Sequence, residues 1–166
     1  MKKIVILSDT HIPMRAKKLP QALVAECQNA DFIIHAGDWQ TLDVYYELAA
    51  YAKTDGVTGN VDPWEILDRF GKKKILTFGD IKVGVIHGDG IRQTTEQRAF
   101  DAFADDEVDI IVFGHSHIPV MREVQGVTLF NPGSPTDKRQ QPQYSFGLLE
   151  IADTWELRHV FFDSRE

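Results

Sequence analysis

Cysteine is nearly absent. Cys27 is the only one in 166 residues, so no intrachain disulfide can form, and the fold must rest on apolar burial. This fits a cytoplasmic location. Cys27 itself lies in an apolar helical pattern and reads as a small buried hydrophobe. Long apolar runs are also missing. None approaches the roughly 20 residues of a membrane-spanning helix, so no membrane partner is expected. The stretch Ile4-Val5-Ile6-Leu7 is too short for a signal-peptide core and meets Ser8-Asp9-Thr10-His11 without a small-residue cleavage site. Basic runs are lacking too. Eighteen Lys and Arg face 25 Asp and Glu, giving a formal charge of −7. The clusters Lys72-Lys73-Lys74 and Lys138-Arg139 read as solvated loop charge. Such a chain repels a polyanion, which argues against long nucleic acid as a partner. There is no repeat, linker or low-complexity segment, and the length suits one domain over 1–166.

What is present is a series of short apolar runs. Ile4–Leu7 and Phe32–Ile34 read as strands buried on both faces. Leu19–Ala30 and Leu42–Lys53 read as helices, and a short strand at Gly56–Thr58 leads into Gly59-Asn60. Strands alternating with helices imply parallel pairing through helical crossovers. Pro63–Phe70 reads as a short helix, Lys74–Phe78 and Lys82–His87 as a hairpin, Thr94–Ala104 as a helix, and Asp109–Phe113 as a further buried strand. Beyond it, Gln125-Gly126 and Ala152-Asp153-Thr154 mark two hairpins, Pro119–Phe130 and Ser145–Phe162. The expected fold class is α/β, with two packed mixed β-sheets flanked by helices.

Chemistry-bearing residues recur just past the ends of the strands. Asp9 and His11 follow the first, Asp38 the second, Asn60 the third, His87 the strand Val83–Ile86, and His115 and His117 the strand Ile110–Phe113. In open α/β sheets, ligands bind beyond the carboxyl ends of the strands. Asp9/His11 and His115/His117 are spaced i and i+2, which in extended chain puts both side chains on one side. Gly37, Gly59, Gly88 and Gly114 flank these residues and permit close backbone approach. Imidazoles, two carboxylates and a carboxamide, with no thiolate, suit Mn, Fe, Zn, Ni or Co better than Ca. Seven ligands are too many for one such ion but enough for two, if Asp38 bridges.

The series Asp9-x-His11, Gly37-Asp38, Gly59-Asn60, His87-Gly88 and Gly114-His115-Ser116-His117 resembles the calcineurin-like metallophosphoesterase family over nearly the whole chain. With Asn131-Pro132-Gly133-Ser134 after the histidine pair, the short chain looks like the small YfcE-type phosphodiesterase branch. The resemblance implies a two-sheet sandwich with two divalent metal ions, manganese first and nickel, zinc, iron or cobalt as alternatives. It assigns Asp9, His11, Asp38 and His117 to one ion and Asp38, Asn60, His87 and His115 to the other. It also admits a homodimer or tetramer. Many family members read Gly-Asn-His at the third motif, and that histidine is held to protonate the leaving group. Here the run is Gly59-Asn60-Val61-Asp62, and valine cannot donate a proton. Asp62 reads as an ionised surface turn residue without a catalytic role.

The expected activity is hydrolysis of a small phosphodiester by a hydroxide bridging two metals about 3.5–4 Å apart. Asp38, Asn60 and His87 then act through that hydroxide and through phosphate positioning. Without an acid, esters with good leaving groups should react best. Asp89 is a candidate to orient a ligating histidine, and Arg139 to reach substrate, although each also reads as ordinary loop charge; His35 and His159 read as structural. Two other readings stand beside this one. The same site could serve a phosphomonoesterase or nuclease, or the chain could be a non-catalytic interaction scaffold, since it also resembles the retromer-scaffold subunit.

Overall fold

Ten strands and four helices follow one another in a computed structural model that describes residues 1–166. In chain order they are β1 (Lys2–Leu7), α1 (Gln21–Cys27), β2 (Phe32–His35), α2 (Leu42–Tyr51), β3 (Lys53–Gly56), α3 (Trp64–Phe70) and β4 (Lys73–Phe78). Then come β5 (Ile81–Ile86), α4 (Thr95–Ala102), β6 (Ile110–Val112), β7 (Val120–Val124), β8 (Val127–Asn131), β9 (Tyr144–Ile151) and β10 (Trp155–Phe162). They form two five-stranded sheets, ordered β10-β9-β1-β2-β3 and β4-β5-β6-β8-β7. In the first, β1, β2 and β3 run parallel, and the β9–β10 hairpin adds antiparallel to β1. In the second, β5, β6 and β8 run parallel between antiparallel edge strands β4 and β7. The expected α/β architecture of two mixed sheets with flanking helices is the one observed.

Strand alternation explains the layering. In β1, Ile4 and Ile6 join Ile34, Val83, Val85, Ile110 and Val112 in the core between the sheets. Val5 and Leu7 point the other way and pack with Leu23, Cys27, Val44, Leu48 and Ile66 from α1, α2 and α3. A smaller cluster, Ala99, Phe103, Ile111, Phe113 and Leu129, seats α4 on the outer face of the second sheet. Buried on both faces, the central strands have little freedom to slide, because a one-residue slip would exchange the two cores. Their carboxyl ends, where the candidate residues lie, are fixed accordingly.

All four helices are shorter than expected, α3 and α4 because Pro63 and Thr94 serve as N-caps and Phe103 as the C-cap of α4. Helix α1 begins after Pro20, whose extended backbone serves as the N-cap, and Leu19 is disfavoured from helix by the proline that follows it. Past its end, Asn29 and Ala30 make only tighter i−3 bonds. Helix α2 stops at Tyr51 because Ala52 is fully extended, and Lys53 opens β3 opposite Phe32. The third strand is therefore Lys53–Gly56, earlier than the expected Gly56–Thr58.

Candidate metal centre

All seven residues sit on loops that leave the strand ends. Asp9, His11, Asp38 and Asn60 come from the first sheet, and His87, His115 and His117 from the second. The i, i+2 spacing does not act through extended chain, as the sequence suggested. Asp9, His11, Asp38, His115 and His117 have φ of 59°, 46°, 61°, 71° and 63°. Left-handed backbone is unfavourable for non-glycine residues and persists only where surrounding structure imposes it. The effect is to split the second pair. The ligand atoms of Asp9, His11 and His117 lie within 4.8 Å of one another, and those of Asp38, His87 and His115 form a second such group. Each group can hold a cation.

The two carboxylates are built alike. Asp9 Oδ2 accepts from the Ser8 hydroxyl at 2.9 Å and the His115 N–H at 2.9 Å, which leaves Oδ1 facing His11, His117 and His87 at 3.7, 3.6 and 3.8 Å. Asp38 Oδ1 accepts from the Val61 N–H at 3.1 Å, while Oδ2 lies 3.5 Å from His11 Nε2 and 3.1 Å from His87 Nε2. Asp38 Oδ2 thus stands between one histidine of each group. His115 Nδ1 lies 3.2 Å from Asn60 Oδ1, which brings the carboxamide to the second group.

The histidine tautomers follow from their partners. His87 Nδ1 lies 2.8 Å from the Ala36 carbonyl and His117 Nδ1 beside the Asp137 carbonyl, so each Nδ1–H donates and Nε2 points inward. The main chain performs the orienting role expected of Asp89, which is exposed and bonds neither ring. Asp9 Oδ1, His11 Nε2, His87 Nε2 and His117 Nε2 are buried without a hydrogen-bond partner. Buried polar atoms are costly unless paired. Three of them belong to the first ligand group and His87 Nε2 to the second, and oxygen and nitrogen donors of this kind suit divalent transition metals.

The electrostatics match. Burial favours the neutral form of Asp9, but the His11 ring beside it and the charges of His87 and His117 outweigh it and hold the carboxyl well below the usual range. Asp38 is lowered too, its burial outweighed chiefly by His87. Burial works against protonated His87 as well, yet the Asp38 carboxylate, 3.1 Å from Nε2, and that of Asp9 raise it to about 9. A proton on its Nε2 and a cation are alternatives for the same lone pair. Burial lowers His115 and His117, keeping them neutral and ready to ligate.

Several supporting residues carry no signal in the sequence. Asp62 is not a surface turn residue. Its carboxylate accepts from the main-chain N–H groups of Asp38, Gln40 and Gly59 at 2.9, 2.7 and 2.7 Å. Trp39, fully buried, stacks between His35 and Phe70 with centroids 3.9 and 4.7 Å away and donates to the Val57 carbonyl. The Asn131–Ser134 segment works at a distance. Ser134 Oγ donates to the Asp9 carbonyl at 2.8 Å, and Asn131 Nδ2 donates to the Gly114 carbonyl and Ser116 Oγ at 3.1 Å each. Two glycines admit close approach that no other residue allows. A Cβ on Gly59 would lie 2.1 Å from Asp38 Oδ1, and one on Gly114 would lie 2.0 Å from Ser8 Oγ. His35 and His159 are structural as read. His35 Nδ1 accepts from the Gly37 N–H, so Nε2–H donates to Thr10 Oγ1; His159 stacks on Phe130 and donates to the Asn131 carbonyl.

Among curated proteins, the chain is 36% identical over 158 residues to the probable metallophosphoesterase MJ0623 of Methanocaldococcus jannaschii, covering 95% of this chain and 80% of that one. It is 29% identical over 148 residues to the phosphodiesterase MJ0936 of the same organism, covering 79% and 82%. Among solved structures, wild-type Vps29 complexed with zinc from Entamoeba histolytica superposes with a TM-score of 0.77 at 24% identity, over 97% of this chain and 99% of that chain. At that identity the likeness speaks for the fold alone. The family model of the calcineurin-like phosphoesterase superfamily domain matches residues 1–154, from the first strand to the last hairpin, and so takes in every loop of the site. The chain belongs to the calcineurin-like phosphoesterase superfamily, whose metallophosphoesterase members work with divalent metal ions.

Proposed function

We propose that the chain hydrolyses a small phosphodiester at a centre holding two divalent cations, with manganese the first choice and nickel, zinc, iron or cobalt the alternatives. The observation that carries the reading is the pair of neighbouring ligand groups, with the buried, unpartnered atoms of Asp9, His11 and His117 in the first and that of His87 in the second. The relative named phosphodiesterase supports the diester over the monoester. Asp9, His11, Asp38 and His117 would hold one cation, and Asp38, Asn60, His87 and His115 the other. Bound there, the cations supply Lewis acidity toward phosphate oxygens and lower the pKa of water toward neutrality. The chain fixes the spacing of the donors and, through His87 and Asn60, the place of the phosphate.

No side chain is set to protonate the leaving oxygen. Val61 stands where such a histidine would be, and its N–H is already given to Asp38. Asp62 is engaged with three main-chain N–H groups. A formal charge of −7 favours a small substrate over long nucleic acid. The fully buried lone thiol of Cys27 agrees with a cytoplasmic setting, and no helix is long and apolar enough to cross a membrane. An interaction role without catalysis has no need of a complete donor set.

The test is hydrolysis of bis(p-nitrophenyl) phosphate by chelator-stripped protein given Mn, Ni, Zn, Co or Mg singly, with Asp38→Ala alongside. Restoration by a metal in the wild type alone is expected. Absence of activity with every metal would overturn the reading in favour of an interaction role.

A further inference from the structure

A cleft of about 600 Å3 opens beside the second ligand group. Asn60, a proposed ligand, lies on its wall together with Gly59 and Gly88, which adjoin Asn60 and His87. A phosphodiester held at the centre has room to direct one ester arm into this space.

The lining has a definite chemistry. Trp64 and Leu67 stand one turn apart on the same face of α3, 71% and 36% exposed, and Ile86 at the end of β5 lines the same cleft. A largely exposed indole next to a polar centre offers a broad apolar plane with nothing on it. Ligand clefts of this volume pair such planes with a few polar groups that fix orientation. Lys72 and Asp89 supply them here, a donor and an acceptor of opposite charge on the same lining. An alkyl arm would use neither the plane nor both polar groups. A flat ring with a polar edge uses all of them.

We propose that this cleft is the subsite for a planar aromatic ester arm, with the ring on Trp64 and its polar edge toward Lys72 and Asp89. The proposal rests on the phosphodiesterase reading and makes the preferred substrate aromatic on one side. Stacking on an aromatic side chain is worth about tenfold in affinity. At 71% exposure, Trp64 can be replaced without disturbing the core.

Zinc-loaded protein is titrated with naphthylmethylphosphonate and with methylphosphonate, neither of which can be hydrolysed as an ester. Calorimetry gives the affinities. NMR follows the imidazole signals of His87 and His115 and the indole N–H of Trp64, assigned with Trp64→Phe. Both phosphonates are expected to shift the imidazoles. Only the aromatic one should shift the indole and bind about tenfold tighter, a preference lost in Trp64→Ala. Imidazole shifts with equal affinities and a still indole would overturn the subsite and leave the metal centre standing. If neither ligand moves the imidazoles, the centre does not bind phosphoryl groups, and both readings fall.

Discussion

Asp62 and Asp38 hold each other's loops. The Asp38 N–H donates to Asp62 Oδ2 at 2.9 Å, and the Val61 N–H, next to Asp62, donates back to Asp38 Oδ1 at 3.1 Å. The same Asp62 oxygen takes the Gly59 N–H at 2.7 Å. The loops after β2 and β3 are thus tied together at the point where Asp38 and Asn60 emerge.

Replacing Asp62 by Ala should leave three N–H groups without their acceptor and loosen Asp38 at the same time. Loss of such supporting groups typically costs about 10–100-fold in metal affinity. Zinc calorimetry on Asp62→Ala and Asp62→Asn checks it, with Asn expected to fall between wild type and Ala. Wild-type affinity in Asp62→Ala would show that Asp38 is held by something else.

Metal should also stabilise the fold, since four buried atoms gain partners. At a free metal concentration a thousandfold above Kd, linkage gives about 4 kcal/mol, or a rise in Tm of about 10 °C for a chain of this size. Thermal melts with chelator and with zinc measure it. The increment should shrink in His87→Ala and His117→Ala.

His35 makes the metal-free protein sensitive to acid. Burial drives its pKa down to about 3, whereas an unfolded histidine titrates near 6.5. Between these values the unfolded chain binds the extra proton, so the contribution is fully present above about pH 6.5 and is lost as the pH falls toward 3. By pH 4 the loss should reach about 3 kcal/mol. Urea midpoints of wild type and His35→Asn, followed from pH 7 to pH 4 in chelator, should converge as the pH drops. Parallel curves would remove His35 from the acid limb.

With no acid beside the leaving oxygen, the rate should depend steeply on leaving-group pKa. A series of aryl methyl phosphates should show slow turnover for poor leaving groups and fast turnover for nitrophenols. Val61→His places an imidazole next to Asn60 and should flatten the dependence. A flat series in the wild type would mean that a proton donor has been overlooked.

Gly114→Ala would push a methyl group into Ser8 Oγ at 2.0 Å and Asp9 Oδ2 at 2.7 Å. Overpacking of this kind costs about 1–3 kcal/mol and would also displace Asp9. Urea unfolding should report the first effect and zinc titration the second.

Most of this was legible in the chain. Continuous apolar runs such as Ile4–Leu7 mark strands buried on both faces, and polar residues just past them mark the site. What stayed hidden depends on distant partners or on loop shape. Nothing local says that β9 will pair with β1, 142 residues earlier at the Lys2–Tyr144 starts of the two strands, and not with its neighbour β8. Nor does Asp62 differ from any turn aspartate until the loop after β2 closes on it. Asp89 looked like a histidine's partner because it is near in sequence, but the Ala36 carbonyl is nearer in space. The i, i+2 pairs do not act through extended chain, because left-handed turns replace it.

The split of the seven residues between the two sheets has a further consequence. Four belong to the loops of β1, β2 and β3, and three to those of β5 and β6. Neither candidate group is complete on one sheet, so tight capture at the proposed centre would report whether the sheets have docked. A coloured cobalt centre would then serve as an internal gauge of that docking, appearing late in refolding and fading early under denaturant, before the strands of either sheet come apart.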